Sequence, residues 1–195
     1  MTVLAYKDKT PIMFVHIPKT GGTSIGDWMV NNVGGEYYLH KHFGGQHADL
    51  RLIKKLMRIK PLNFDETYMF TVVRNPWDRL LSGHLYFKRT GKFTEESVPF
   101  DAFLRGDWKP KLATMGNPQV NYVGSKKPEI VMRFENLEKD FEQIQELFDC
   151  DAPLPVTNTT EHKHYTEHYD DITRKLVEDR FKEDIERFNY KFGEN

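Results

Sequence analysis

The segment that most constrains this chain is residues 12–24, IMFVHIPKTGGTS. Its apolar run over 12–17 has the length and β-branched content of a buried strand, which Pro18 ends. Gly21 and Gly22 then turn the chain. Ile25, Trp28, Met29 and Val33 follow at helical spacing until Gly34 and Gly35 stop the helix. Strand, glycine turn and helix in immediate succession predict a βα unit, which belongs to a layered α/β fold.

Other segments agree. Residues 68–73 (YMFTVV) and 129–134 (EIVMRF) predict two more buried strands. Helices are expected over 48–58, from Asn75-Pro76 to about residue 88, over 136–148, and in one long stretch around 170–188. Residues 91–128, with Pro99, Pro110, Pro118 and Pro128, should be the least regular. Strands separated by helices predict an α/β fold with a central, mostly parallel sheet flanked by helices. With no repeat and no Gly/Ser linker, 195 residues predict one domain over 1–195, its first strand starting about ten residues in.

Composition excludes several functions. No apolar run approaches the ~18 residues of a membrane span, and MTVLAYKDKT lacks the basic-then-apolar pattern of a signal peptide. One cysteine, Cys150, leaves no internal disulfide and no multi-cysteine zinc site, so a reducing, cytoplasmic setting is expected. A net charge of −1, from 28 basic and 29 acidic residues, argues against nucleic-acid binding. The basic run over 51–60 (RLIKKLMRIK) reads either as the solvated face of a helix or as a steering patch for an anionic substrate.

The turn over 16–24 has the chemistry of an anion cradle. Backbone N–H groups at a helix's positive end are exposed by Gly21 and Gly22, with hydroxyls from Thr23 and Ser24 and a charge from Lys19. A capped helix after a tight turn would carry the same residues without a ligand. The spacing is not that of a Walker A loop, because the lysine precedes the glycines. In VVRNPWDRLLS, Arg74 closes a buried strand, where α/β sheets bind ligands, and Ser82 lies about two helical turns further on. Those two could grip one phosphate from two sides. Asp78 and Arg79 read as helix-surface charges or a structural ion pair.

Together HIPKTGGTS and VVRNPWDRLLS resemble the nucleotide-binding signatures of sulfotransferases that use 3′-phosphoadenosine 5′-phosphosulfate (PAPS). The carbohydrate-type branch, with its heparan 2-O- and chondroitin sulfotransferases, is similar also in HADLRLIKK, NPQVNYVGS, RFENLEKDF and the stretch from LPVTNTTEHKHYTEHYD through DIERFNYKF. This resemblance implies a P-loop NTPase-like three-layer fold and transfer of a sulfuryl group from PAPS to a hydroxyl, on a carbohydrate or another small polar acceptor; the alternatives are a nucleotide kinase-like P-loop enzyme and a catalytically inactive nucleotide-binding protein. It implies that Pro18, Lys19, Thr20, Gly21, Gly22, Thr23 and Ser24 hold the 5′-phosphosulfate, and that Arg74 and Ser82 hold the 3′-phosphate. Lys19 would also stabilise the departing 3′,5′-diphosphoadenosine, and Lys163 would cap the 3′-phosphate. No metal is required, since a sulfuryl group carries less charge than a phosphoryl group and no metal-ligand spacing stands out. Membrane partners are not expected, although relatives are often anchored in the Golgi.

An acceptor hydroxyl needs a general base, and histidine suits neutral pH. Of eight histidines, His47, heading the helix before the RNP strand, matches the family pattern best; His42 and then His40 are the alternatives. His16 and His84 read as structural. Gln119, Tyr122 and Ser125 are either pocket contacts or parts of a packed loop.

Overall fold

The computed structural model describes residues 2–37, 53, 62–106, 115–124, 128–155 and 163–194. Asp8 and Lys9, at φ 48° and 70°, reverse the chain between β1 (Val3–Lys7) and β2 (Thr10–Val15). A two-residue turn with both residues left-handed matches the twist of paired strands. This hairpin corrects the expected start of the fold: β1 precedes the strand read from sequence, and β2 ends two residues early, at Val15. Such turns usually announce themselves with Asn-Gly or Asp-Gly, and Asp8-Lys9 has no glycine.

The remaining strands are β3 (Glu36–Tyr37), β4 (Tyr68–Val73) and β5 (Ile130–Arg133), and the sheet order is β3-β1-β2-β4-β5. β2, β4 and β5 run parallel, with Val15 opposite Thr71 and Val73 opposite Arg133. β1 and β3 add antiparallel pairings at one side. The result is the expected α/β architecture, with a parallel core and an antiparallel margin that the sequence did not announce. Ile12, Met13, Phe14 and Val15 in β2, and Met69, Phe70, Val72 and Val73 in β4, are all buried, so both faces of the central strands are covered.

The helices are α1 (Gly22–Asn32), α2 (Pro76–Arg89), α3 (Phe100–Arg105), α4 (Val120–Val123), α5 (Leu137–Phe148), α6 (Asp171–Arg180) and α7 (Lys182–Phe188). The irregular region over 91–128 holds the short helices α3 and α4. One expectation needs correction: the long C-terminal helix is two helices meeting at Phe181, whose φ of −110° leaves the helical range. Phe181 is fully buried, so packing of its ring overrides the helical continuity that spacing suggests. The expected helix over 48–58 lies outside the described residues apart from Ile53, which is buried. No described helix is long and apolar enough to cross a membrane.

Contacts divide the chain into two compact units, Met1–Val73 with Asn121–Thr157, and Arg74–Val120 with Asn158–Asn195. In the first, α1 and α5 cover one sheet face through Ile25, Trp28, Met29, Phe141 and Ile144, against Val3, Ile12, Phe14, Phe70 and Met132. Trp28 meets Phe141 edge-on at 5.0 Å and donates its indole N–H to Ala152 O at 2.7 Å. In the second, Leu80, Leu81, Phe93, Phe103, Tyr165, Val177 and Phe181 form a core among α2, α3 and α6.

Candidate active site

In the first unit the site starts where β2 ends. Lys19 takes a left-handed φ of 68°, Thr20 donates its hydroxyl to Ile17 O at 2.8 Å, and Gly21, at φ 80°, is the N-cap of α1. Glycine is favoured at residue 21 by its left-handed backbone and required at residue 22 by lack of space. A Cβ on Gly21 would stand 2.9 Å from Leu137 Cδ2, and one on Gly22 would overlap the His16 imidazole. His16 is buried and stacks on Phe14, with ring centroids 5.8 Å apart, consistent with a structural role. The first turn of α1 contains no acidic residue, so nothing in it offsets the positive end of the helix dipole. Lys19 and Thr23 are half-buried and Ser24 is buried, so this turn collects hydroxyl, ammonium and N–H groups at the carboxyl end of a central strand. That arrangement suits an anion.

In the second unit Arg74 directly follows β4 and is 7% exposed. Its Nε donates to Asp78 Oδ2 at 2.8 Å. Its peptide is held twice by Gln119: Arg74 N donates to Oε1 at 2.9 Å, and Nε2 donates to Arg74 O at 2.8 Å. Asn75 caps α2 by accepting from Trp77 N, while its Nδ2 donates to Tyr165 Oη, Lys191 O and Glu194 O, each at 3.1 Å. Trp77 donates to Arg174 O and packs edge-on against Phe192. The Asn-Pro-Trp part of the motif therefore ties the C-terminal segment to the start of α2. Asp78 and Ser82 are four residues apart on α2, so the partner of Arg74 and the expected phosphate ligand share one helix face.

Arg79 is not a helix-surface charge. It is fully buried, donating to Asn117 O at 3.0 Å and Met115 O at 3.4 Å, and its charge acts on the equally buried Asp184. Asp184 accepts from Gln119 N at 2.8 Å and Val120 N at 2.9 Å. Burial raises its carboxyl above the usual range, against the pull of those two donors and of Arg79. Burial, with the Asp78 charge next, also pushes the Tyr169 phenol well up; its hydroxyl donates to Trp77 O.

Gln119 was expected from the sequence without a task, and Asp184, although it opens the DIERFNYKF segment, was not expected as a site residue. Gln119 behaves as a packed-loop residue, Tyr122 is buried, and Ser125 lies outside the described residues. Lys163 is exposed and pairs with Glu167 at 3.3 Å. His84 is buried among Phe93, Phe100 and Phe103 with Nε2 against Val98 O, consistent with a structural role. His40, His42 and His47 lie outside the described residues.

The family model described as the sulfotransferase family matches residues 3–191. The chain belongs to the sulfotransferase family. The match runs through both compact units and takes in the glycine turn and the RNP segment of this sulfotransferase. Carbohydrate sulfotransferases, including the heparan 2-O and chondroitin types, fall within that family. No curated protein and no solved structure matches the chain.

Proposed function

We propose that this sulfotransferase takes its sulfuryl group from PAPS and passes it to a hydroxyl of a carbohydrate or similar polar acceptor in the cytoplasm. On this reading residues 1–195 are a single sulfotransferase domain of P-loop-like three-layer type. The observation that carries this reading is the start of α1: a left-handed glycine N-cap, an acid-free first turn and a lysine just before it, at the end of a buried parallel strand. These residues fit a phosphosulfate, because the Lys19 ammonium stands beside a helix start that has no acidic residue in its first turn and no side-chain cap.

When bound, PAPS supplies an activated sulfuryl group on its 5′ phosphate. Residues 18–24 hold that end, and Arg74 and Ser82, with Lys163 as a cap, hold the 3′-phosphate. His47, with His42 the alternative, accepts the acceptor's proton as its oxygen bonds to sulfur and the bond from sulfur to the bridging oxygen breaks. Lys19 and the α1 N–H groups stabilise the negative charge that leaves on 3′,5′-diphosphoadenosine. Catalysis is then positioning plus charge stabilisation, and no residue forms a covalent bond to sulfur.

The test is calorimetric titration with 3′,5′-diphosphoadenosine, ADP and ATP, followed by transfer of labelled sulfate from PAPS across a panel of sugars and other hydroxyl compounds. Preference for 3′,5′-diphosphoadenosine and labelling of a hydroxyl acceptor are expected. Tighter binding of ATP would overturn the donor assignment, and labelling confined to apolar hydroxyl compounds would overturn the acceptor class.

A further inference from the structure

Resting on the assignment of Arg74 to the 3′-phosphate, we propose that Gln119 and Asp184 are positioning residues that hold Arg74 for that contact. Val73 is the last residue of β4, so the Arg74 peptide begins where the strand ladder stops. The Gln119 amide meets both its N–H and its carbonyl, a side chain standing in for a neighbouring strand. Gln119 is itself fixed, because Asp184 on α7 accepts from the backbone N–H of residues 119 and 120. Arg79 holds the carbonyls of residues 115 and 117 in the same loop. Asp78 takes the Nε edge of the guanidinium, so Arg74 is set at its backbone and at its side chain.

The composition of this arrangement points past stability alone. Arg79, Gln119 and Asp184 are each 0% exposed, and burying such groups costs desolvation that a well-packed apolar core avoids. What they supply instead is a defined geometry, the property a phosphate-binding arginine needs.

The test compares 3′,5′-diphosphoadenosine with adenosine 5′-monophosphate, which lacks only the 3′-phosphate, by calorimetry on the full chain. Gln119→Met keeps the volume and removes both amide bonds to Arg74. It should weaken 3′,5′-diphosphoadenosine roughly tenfold or more while leaving the monophosphate within about twofold, since the two buried bonds that set the Arg74 peptide are at stake. Arg74→Ala should show the same selectivity, and the double variant should lose less than the product of the two single losses. Equal loss for both nucleotides, or wild-type affinity for both, overturns the positioning role. If Arg74→Ala itself fails to separate the two nucleotides, the 3′-phosphate assignment falls, and the positioning role with it; if Arg74→Ala separates them and Gln119→Met does not, only the positioning role falls. Should Gln119→Met not fold, Gln119→Glu keeps volume and acceptor, removes the donor to Arg74 O, and is read by the same ratio.

Discussion

The His16 imidazole occupies the space where a side chain on residue 22 would begin, so the ring closes over the first residue of α1. Strand end and helix start are thereby locked together by one buried aromatic contact. Gly22→Ala should force the ring or the turn to move, costing about 1–3 kcal/mol of stability, as overpacking does. Urea unfolding measures this, and His16→Ala in the same chain should restore part of the loss. An additive double variant would mean that the ring does not constrain Gly22.

Lys19 carries its charge on a left-handed backbone, which permits an unusually clean substitution. Lys19→Gly relieves that strain while adding unfolded-state freedom, so stability should stay within about 1 kcal/mol of wild type. Turnover at saturating donor should fall ~100-fold, the scale of one lost transition-state donor. A kcat within twofold of wild type would remove Lys19 from leaving-group stabilisation.

The base is tested by separating binding from transfer. His47→Ala should abolish sulfuryl transfer and leave the affinity for 3′,5′-diphosphoadenosine unchanged, whereas His42→Ala should keep most activity. The reverse pattern would assign the proton to His42.

Asp184 gives a pH signature. Because burial raises its folded-state pKa above the unfolded value, the folded protein holds the extra proton between the two, and this group's contribution to stability falls as pH rises through that interval. Asp184→Asn removes the slope and leaves one oxygen for two backbone N–H groups, costing about 1–3 kcal/mol. Urea melts across the acidic range should therefore find the variant's deficit largest at low pH and shrinking upward. A deficit that grows with pH would mean that the folded carboxyl titrates below its unfolded value.

Much of the fold was legible because it is written in local spacing. β4, α2, β5 and α5 fall within one or two residues of the stretches that periodicity, proline and asparagine marked, and the glycine turn between β2 and α1 stands where expected. The antiparallel margin was not legible, since Asp8-Lys9 lacks glycine and Glu36–Tyr37 is too short to have a period. Nor was the break at Phe181, where a fully buried ring outweighs helical propensity.

By itself the sequence determined the three parallel strands and the helices α1, α2 and α5, the anion-friendly turn at residues 18–24, the arginine placed just beyond β4, and family membership. Tertiary structure alone decided which polar groups meet. Gln119 reaches Arg74 across 45 residues of chain and Asp184 reaches Gln119 across 65, while Arg79, read from sequence as a surface charge or a structural ion pair, is fully buried. The physical reason is that spacing along a chain encodes which face a residue occupies. The partner that satisfies a buried donor or acceptor is chosen by whatever distant segment packs against that face.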